Sequence, residues 1–383
     1  MTPNTNDVRL TVERAPDRPM GRVRIVTTET PVPPTPSDEQ YQAHILQGVS
    51  RTFALTIPEL PNGLANPVSN AYLLCRIADT IEDEPSLAID QKQKFHALFI
   101  DVVSGRESPV PFADELFPLL SERSLSAERD LIRNTDRVIR ITRSFNSAQR
   151  AALERCVAIM CDGMERFERN SSLRGLTTLD ELNSYCYHVA GVVGEMLTEL
   201  FCDYSPEIAK NRDALLALAV SFGQGLQMTN ILKDHWDDRG RGVCWLPQEV
   251  FSGGAVDLST LTTDVRPDAY AEGLEVLVGI AHGHLENALK YALLIPPHET
   301  GIRKFCLWAI GLALLTLRKI HRRLDFTTGA QVKVSRNTVK AVVGTTRLTV
   351  RSDILLSALF NLCAWRLPKC AVGALPSRWS GAD

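Results

Sequence analysis

From Ser37 onward the apolar residues recur at intervals of three and four with almost no two-residue alternation, so this chain must bury helices against helices. The pattern predicts helices near 39–56, 66–84, 89–104, 127–143, 148–169, 178–202, 207–238, 268–294 and 300–324. A 44% hydrophobic content is ample for one core, and no repeat of solenoid period appears. The expected fold is therefore all-α, a single helical bundle over 37–366 around a central cavity. Residues 1–36 are rich in Pro, Thr and Asn and read as a flexible leader, with 367–383 as a flexible tail. One stretch departs from the helical period: 331–350 is basic and partly alternating, which predicts an extended flap or a small hairpin.

A net charge of -3 and a pI near 6.3 provide no basic field for nucleic acid, so an anionic ligand must be held locally. Nine cysteines, an odd number without CxxC pairing or a secretory leader, fit a reducing cytoplasm. Two apolar runs, 305–317 and 354–365, fall short of the ~20 residues a membrane span needs. Arg303, Lys304, Arg318 and Lys319 flank the first, which suits a buried helix with solvated ends. The second is suited to peripheral contact with a bilayer surface.

The chemistry-bearing residues fall in four segments. A helix from Pro67 to Asp83 carries Tyr72, Arg76, Asp79 and Asp83 on one stripe and Leu73, Leu74, Ile77 and Ile81 on the other. Its end, Asp79-Thr80-Ile81-Glu82-Asp83, taken alone is an ordinary solvated helix terminus. A second acidic end, from Asp234 to Asp238, follows 155 residues later, and Gly223, Gln227, Asn230, Asp234, Asp237 and Asp238 share a broad helix face with it. Carboxylates gathered around one cavity repel unless a hard cation intervenes, and Mg²⁺ with diphosphate oxygens is the natural one. Zinc is disfavoured, because no Cys/His set has ligand spacing and His235 reads as structural.

The third segment, Tyr185 to Glu195, places Gly191 and Gly194 inside an apolar helix at a cost of roughly 1 kcal/mol each. Close helix packing and a trough for a long hydrocarbon both explain that cost. Tyr185 is a candidate proton acceptor, provided that neighbouring cations lower its pKa from about 10. The fourth segment is Ser50-Arg51-Thr52-Phe53, a phosphate-binding guanidinium before an aromatic ring that can face a carbocation. Arg51, Arg76 and Lys233 are the positive groups that a pair of diphosphates needs.

These segments, S-R-T-F, R-I-A-D-T-I-E-D, Y-C-Y-H-V-A-G-V-V-G and G-Q-G-L-Q-M-T-N-I-L-K-D-H-W-D-D followed by G-V-C-W-L-P, resemble the squalene and phytoene synthase family over about 41–350. The resemblance implies an isoprenoid-synthase-type bundle and head-to-head condensation of two farnesyl diphosphates to presqualene diphosphate. It implies Mg²⁺ on Asp79, Glu82, Asp83, Asp234, Asp237 and Asp238, and catalysis by Tyr185 with Asp79, Asp83, Asp234 and Asp238. Diphosphate binding is expected from Ser50, Arg51, Phe53, Tyr72, Arg76, Gln227, Asn230 and Lys233. D-T-I-E-D and the extension past 300 are more similar to the squalene-forming branch, which implies NADPH at Arg51, Asn230, Lys333 and Arg336. Here Lys333-Val334-Ser335-Arg336 stands where that branch has K-I-R-K, and Lys233 where many relatives have Arg. Two alternatives stay open at this stage: a phytoene or dehydrosqualene synthase without reductant, and a non-catalytic lipid-binding or assembly factor. The carboxylate cluster and Tyr185 weigh against the latter, since a pure binder has no use for so costly a group of charges.

Overall fold

Ser37 opens the first helix, Asp38–Val49, through a reciprocal cap in which its hydroxyl accepts from Gln40 N while the Gln40 side chain accepts from Ser37 N. The computed structural model describes residues 36–50, 53–253, 256–264, 267–370 and 372, and everything from Ser37 on belongs to one unit. The expected leader thus lies outside the described residues apart from Pro36, and so do Arg51, Thr52 and most of the tail. Among the described residues there are helices and no strand, only an isolated bridge between Leu176 and Pro247. The all-α expectation holds.

Several boundaries differ for local reasons. The predicted 39–56 helix ends at Val49, and Ser50 turns extended, its hydroxyl accepting from Phe53 N. The predicted 127–143 helix is two, Ser126–Arg133 and Thr135–Ser144, broken at Asn134, whose side chain bonds back to the Asp130 carbonyl. The first acidic helix starts earlier than Pro67: it runs Asn62–Asp83, with Pro67 in its second turn. That position forfeits one hydrogen bond.

The flap expected over 331–350 is helical. A turn at Gly329–Val332 leads to a helix, Arg336–Thr349, capped by Ser335, whose hydroxyl accepts from Thr338 N. The inward residues Val339, Val342, Val343, Thr346 and Val350 recur at helical steps, and that period outweighs the β-branched composition that suggested strand. A last helix, Asp353–Cys363, pairs with it against Thr300–Arg322.

At the centre, Leu179–Cys186 continues through a π-type turn, Tyr187–Gly191, into Val192–Tyr204. Val192–Tyr204 touches both the first acidic helix and the second, Arg212–Gly240, so it is the wall they share. The second acidic helix packs most extensively on Asp268–Leu294. By length and composition Arg212–Gly240 and Thr300–Arg322 could cross a membrane, which corrects the reading of 305–317 as too short. Both are core helices here: Arg303 is fully buried, donating to the Ile295 and Val350 carbonyls and to Asp353.

Candidate active site

Gly194 of the third segment and Gly223 of the second acidic helix serve close approach. A Cβ at Gly223 would lie 2.2 Å from the Ala190 carbonyl oxygen, and one at Gly194 would lie 2.3 Å from that of Ala219. The backbones of the π turn and the second acidic helix are therefore in contact, which decides for packing at these two positions. Gly223 faces this contact rather than the acidic end.

That contact sets Tyr185 against the carboxylates. Tyr185 is buried and stacks flat on Trp245, ring centroids 4.2 Å apart at 7°, with Phe167 edge-on at 5.3 Å. Trp245 is held by its loop: Cys244 N donates to Ser172 O, Leu176 N to Leu246 O and Gln248 N to Leu176 O. Burial, followed by the nearby charges of Glu82, Asp238 and Asp83, pushes the phenol well above its usual range. Where the sequence suggested that neighbouring cations could lower the Tyr185 pKa, carboxylates from both acidic ends act on it instead, and the protein alone keeps it protonated.

On the first acidic helix, the Tyr72 hydroxyl donates to Val49 O at 3.0 Å and accepts from Arg76 Nη2 at 3.2 Å. Arg76 lies between Asp79 at 3.8 Å and Glu128 at 3.6 Å. Phe53 packs on Tyr72 and Phe305, centroids 5.3 and 6.2 Å away. Half-buried Asp79 is pushed up to about 6 by burial and by Asp83 and Glu128, against the pull of Arg76. Burial, Asp79, Asp83 and Glu168 raise Glu82 well above the carboxylate range. Lys92, itself buried, donates to the Glu82 carbonyl and to Glu168. Glu84, just past the motif, accepts from Ser86 N, Ser121 N and the Ser124 hydroxyl, which pins the helix end.

On the second acidic helix, Lys233 bonds Asn230 at 3.3 Å and Asp234 at 3.1 Å. Asn230 and Asp237 are exposed, Gln227 and Asp234 are half-buried, and Asp238 is buried. Burial raises the Asp238 carboxyl, opposed by Arg241. His235 is buried between Leu232 O and the Tyr270 hydroxyl, a structural placement. The Gly329 turn docks here: Gly329 N donates to Asp237 Oδ2 at 3.3 Å, and a Cβ would meet Asp234 Oδ1 at 2.7 Å. That approach brings the chain leading to Lys333 and Arg336, both exposed, onto the acidic end.

Arg241 joins the two ends, 2.5 Å from Asp238 and 3.9 Å from Asp83. Sequence reasoning missed Arg241, Glu128, Lys92, Glu84, Trp245 and Gly329. Arg241 had a signal, sitting three residues past Asp238 where a helix-terminal cation is favourable. Glu84 adjoins the first acidic motif and Trp245 lies in the G-V-C-W-L-P segment, whereas Glu128, Lys92 and Gly329 are joined to the site only by long-range folding.

The donor set fits a hard cation. Asp79, Glu82 and Asp238 are under-compensated, and Tyr185 and Arg241 each lie near carboxylates of both helix ends. Among the described residues no three Asp, Glu, His or Cys side chains meet at one metal-sized point. Magnesium habitually takes one or two carboxylates and completes its shell with water and substrate phosphates, which this spread arrangement allows.

Residues 46–338 match the squalene/phytoene synthase family. The chain is 28% identical to squalene synthase of Schizosaccharomyces pombe over 297 residues, 76% of this chain and 61% of that one. With squalene synthase of Solanum lycopersicum it shares 27% over 308 residues, 79% of this chain and 69% of the relative. It thus spans about three fifths of the first of these relatives. Among solved structures, TcSQS in complex with BPH1237 superposes with a TM-score of 0.68 at 24% identity, covering 90% of this chain and 95% of that one. A dehydrosqualene synthase with ligand gives 0.59 at 20%, covering 82% and 97%. At these identities both speak for the fold.

Proposed function

Because this chain belongs to the squalene/phytoene synthase family, we propose that it condenses two farnesyl diphosphates head to head to presqualene diphosphate and reduces that intermediate to squalene. The observation that carries the reading is the meeting of carboxylates from both acidic ends at Tyr185, with Arg241 between the ends.

Arg76 and Lys233, with Arg51 and the polar Ser50, Tyr72, Gln227 and Asn230, bind diphosphate oxygens and orient the first allylic carbon towards the second chain. Asp79, Glu82 and Asp83 on one side and Asp234, Asp237 and Asp238 on the other would hold Mg²⁺, which supplies Lewis-acid neutralisation of the departing diphosphate. Phe53 and Tyr72 turn ring faces towards the cationic carbon. Tyr185, held protonated, works as a relay: its O–H proton passes to a departing diphosphate oxygen as the phenol oxygen takes the proton lost in cyclopropane closure. The Trp245 stack fixes the ring during this exchange. Apolar walls keep water from capturing the cations. Lys333 and Arg336, with Asn230 and Arg51, would hold NADPH, which supplies hydride for the final reduction. A cytoplasmic enzyme working at a bilayer surface suits a farnesyl substrate and a C30 hydrocarbon product.

The test is incubation of the full chain with farnesyl diphosphate and Mg²⁺, with and without NADPH. Squalene appearing only with NADPH supports the reading. A product independent of NADPH makes the enzyme a dehydrosqualene or phytoene synthase. No turnover of any prenyl diphosphate leaves a lipid-binding factor.

A further inference from the structure

The last two helices carry an outer face that no helix of the chain covers among the described residues. On Asp353–Cys363 and the residue pair beyond it, Ile354, Leu362 and Trp365 are 83%, 62% and 65% exposed, spaced by eight and three residues, with Leu355 and Ala358 beside them. That is one stripe of a helix. Leu348, at the end of the partner helix, is 88% exposed. Side chains this large, contiguous and exposed mark an interaction surface.

Charge says what kind. Residues 329–370 contain seven Lys and Arg against one Asp, and that Asp353 is bound by Arg303. Arg347 and Lys369 are held by Glu59 and Glu286, while Lys340, Arg351 and Arg366 stand exposed on the same unit. At the end of the stripe a cavity of about 400 Å³ is lined by Arg318, His321, Arg322, Trp365, Arg366 and Leu367. No acid is among these lining residues, and Glu275 stands 3.7 Å from His321. Arg318 Nε is buried there with no hydrogen-bond partner. A buried guanidinium N–H without an acceptor, beside two more arginines and an exposed indole, calls for an anionic oxygen at an apolar boundary.

We propose that this face docks on an anionic phospholipid bilayer, with Ile354, Leu362 and Trp365 entering the headgroup region and the Arg318–Arg322–Arg366 cavity taking a lipid phosphate. The combination of an apolar stripe and flanking cations is the composition of an interfacial helix. It gives residues to the membrane-peripheral reading above, and stands or falls separately from the prenyl-transfer chemistry.

Vesicle co-sedimentation of the full chain tests it. Wild type should bind phosphatidylcholine vesicles containing about 30 mol % phosphatidylglycerol at least about tenfold more tightly than pure phosphatidylcholine, and lose that margin in high salt. Ile354→Glu with Leu362→Glu should abolish binding to both, and Arg322→Glu with Arg366→Glu should remove only the preference for the anionic lipid. All four positions are exposed, so circular dichroism and unfolding midpoints should be unchanged. Inorganic phosphate alone should not compete; competition would reduce the cavity to a free-phosphate site and overturn the docking proposal. Equal vesicle binding by both variants and wild type also overturns it. So does an absence of binding together with a dimer, seen by sedimentation velocity, that the Ile354→Glu and Leu362→Glu pair dissolves, because a second copy then covers the face. Binding restored by deleting 373–383 overturns it too, since the chain's own end then fills it.

Discussion

Substituting Gly223 by Ala tests how the π turn and the second acidic helix are held. The added Cβ would stand 2.2 Å from the Ala190 carbonyl oxygen and 2.5 Å from its carbon, both backbone atoms that cannot rotate away. Ordinary contact begins at 3.4 Å, so the helices must separate by 3.4 − 2.2 = 1.2 Å locally. Overpacking of this kind costs about 1–3 kcal/mol. The larger consequence is functional, because the turn that retreats begins two residues after Tyr185, and a displacement near 1 Å can cost about 100-fold in turnover. Urea unfolding and the rate of diphosphate release from farnesyl diphosphate should both fall accordingly. Gly344→Ala is the control: nothing lies within 4 Å of its Cβ in the middle of a helix, and it should stabilise by about 0.5–1 kcal/mol with turnover intact. A Gly223→Ala enzyme as stable and as fast as wild type would refute the close-packing account.

Lys92→Met should cost about 3–5 kcal/mol in urea unfolding, since Glu168 and the Glu82 carbonyl lose a buried cation; a change within about 0.5 kcal/mol would show that this link bears little load. Asp38 bonds Arg140 at 2.7 Å and Arg137 at 2.9 Å, which together outweigh desolvation and hold its carboxyl at about 2, against 3.8 unperturbed. A depressed carboxylate contributes above its unfolded pKa and loses that contribution as pH falls from about 4 through 2. Asp38→Asn should therefore be less stable at neutral pH by about 1 kcal/mol after solvent screening, and match wild type below pH 2. A deficit that persists unchanged at the acid end would assign it to something other than charge.

Periodicity made the helices legible because an amphipathic stripe repeats within one element. Where it misled, the deciding term was local: Ser50 and Asn134 bond their own backbone and stop helices, and Val339 to Val350 follow the helical step despite β-branched composition. Asp79, Asp83, Asp234, Asp238 and Tyr185 were readable from motif spacing, and folding gathers Tyr185 with Glu82, Asp83 and Asp238. Arg241's pairing with Asp83, the Trp245 stack on Tyr185 and Glu128's approach to Arg76 join residues far apart along the chain, and no local period announces these. The sign of the Tyr185 environment was equally hidden, since it depends on which charges the fold brings within range.

The central claim is that two acidic helix ends act as one diphosphate-ionising site. Its most direct measurement is diphosphate release from farnesyl diphosphate with saturating Mg²⁺ by Asp79→Asn, Asp234→Asn and the double variant. Each single change should lower the rate by about 1,000-fold or more, and the double change should add little, because residues that act as a unit are not additive. Diphosphate release at near wild-type rate in the double variant would contradict the account.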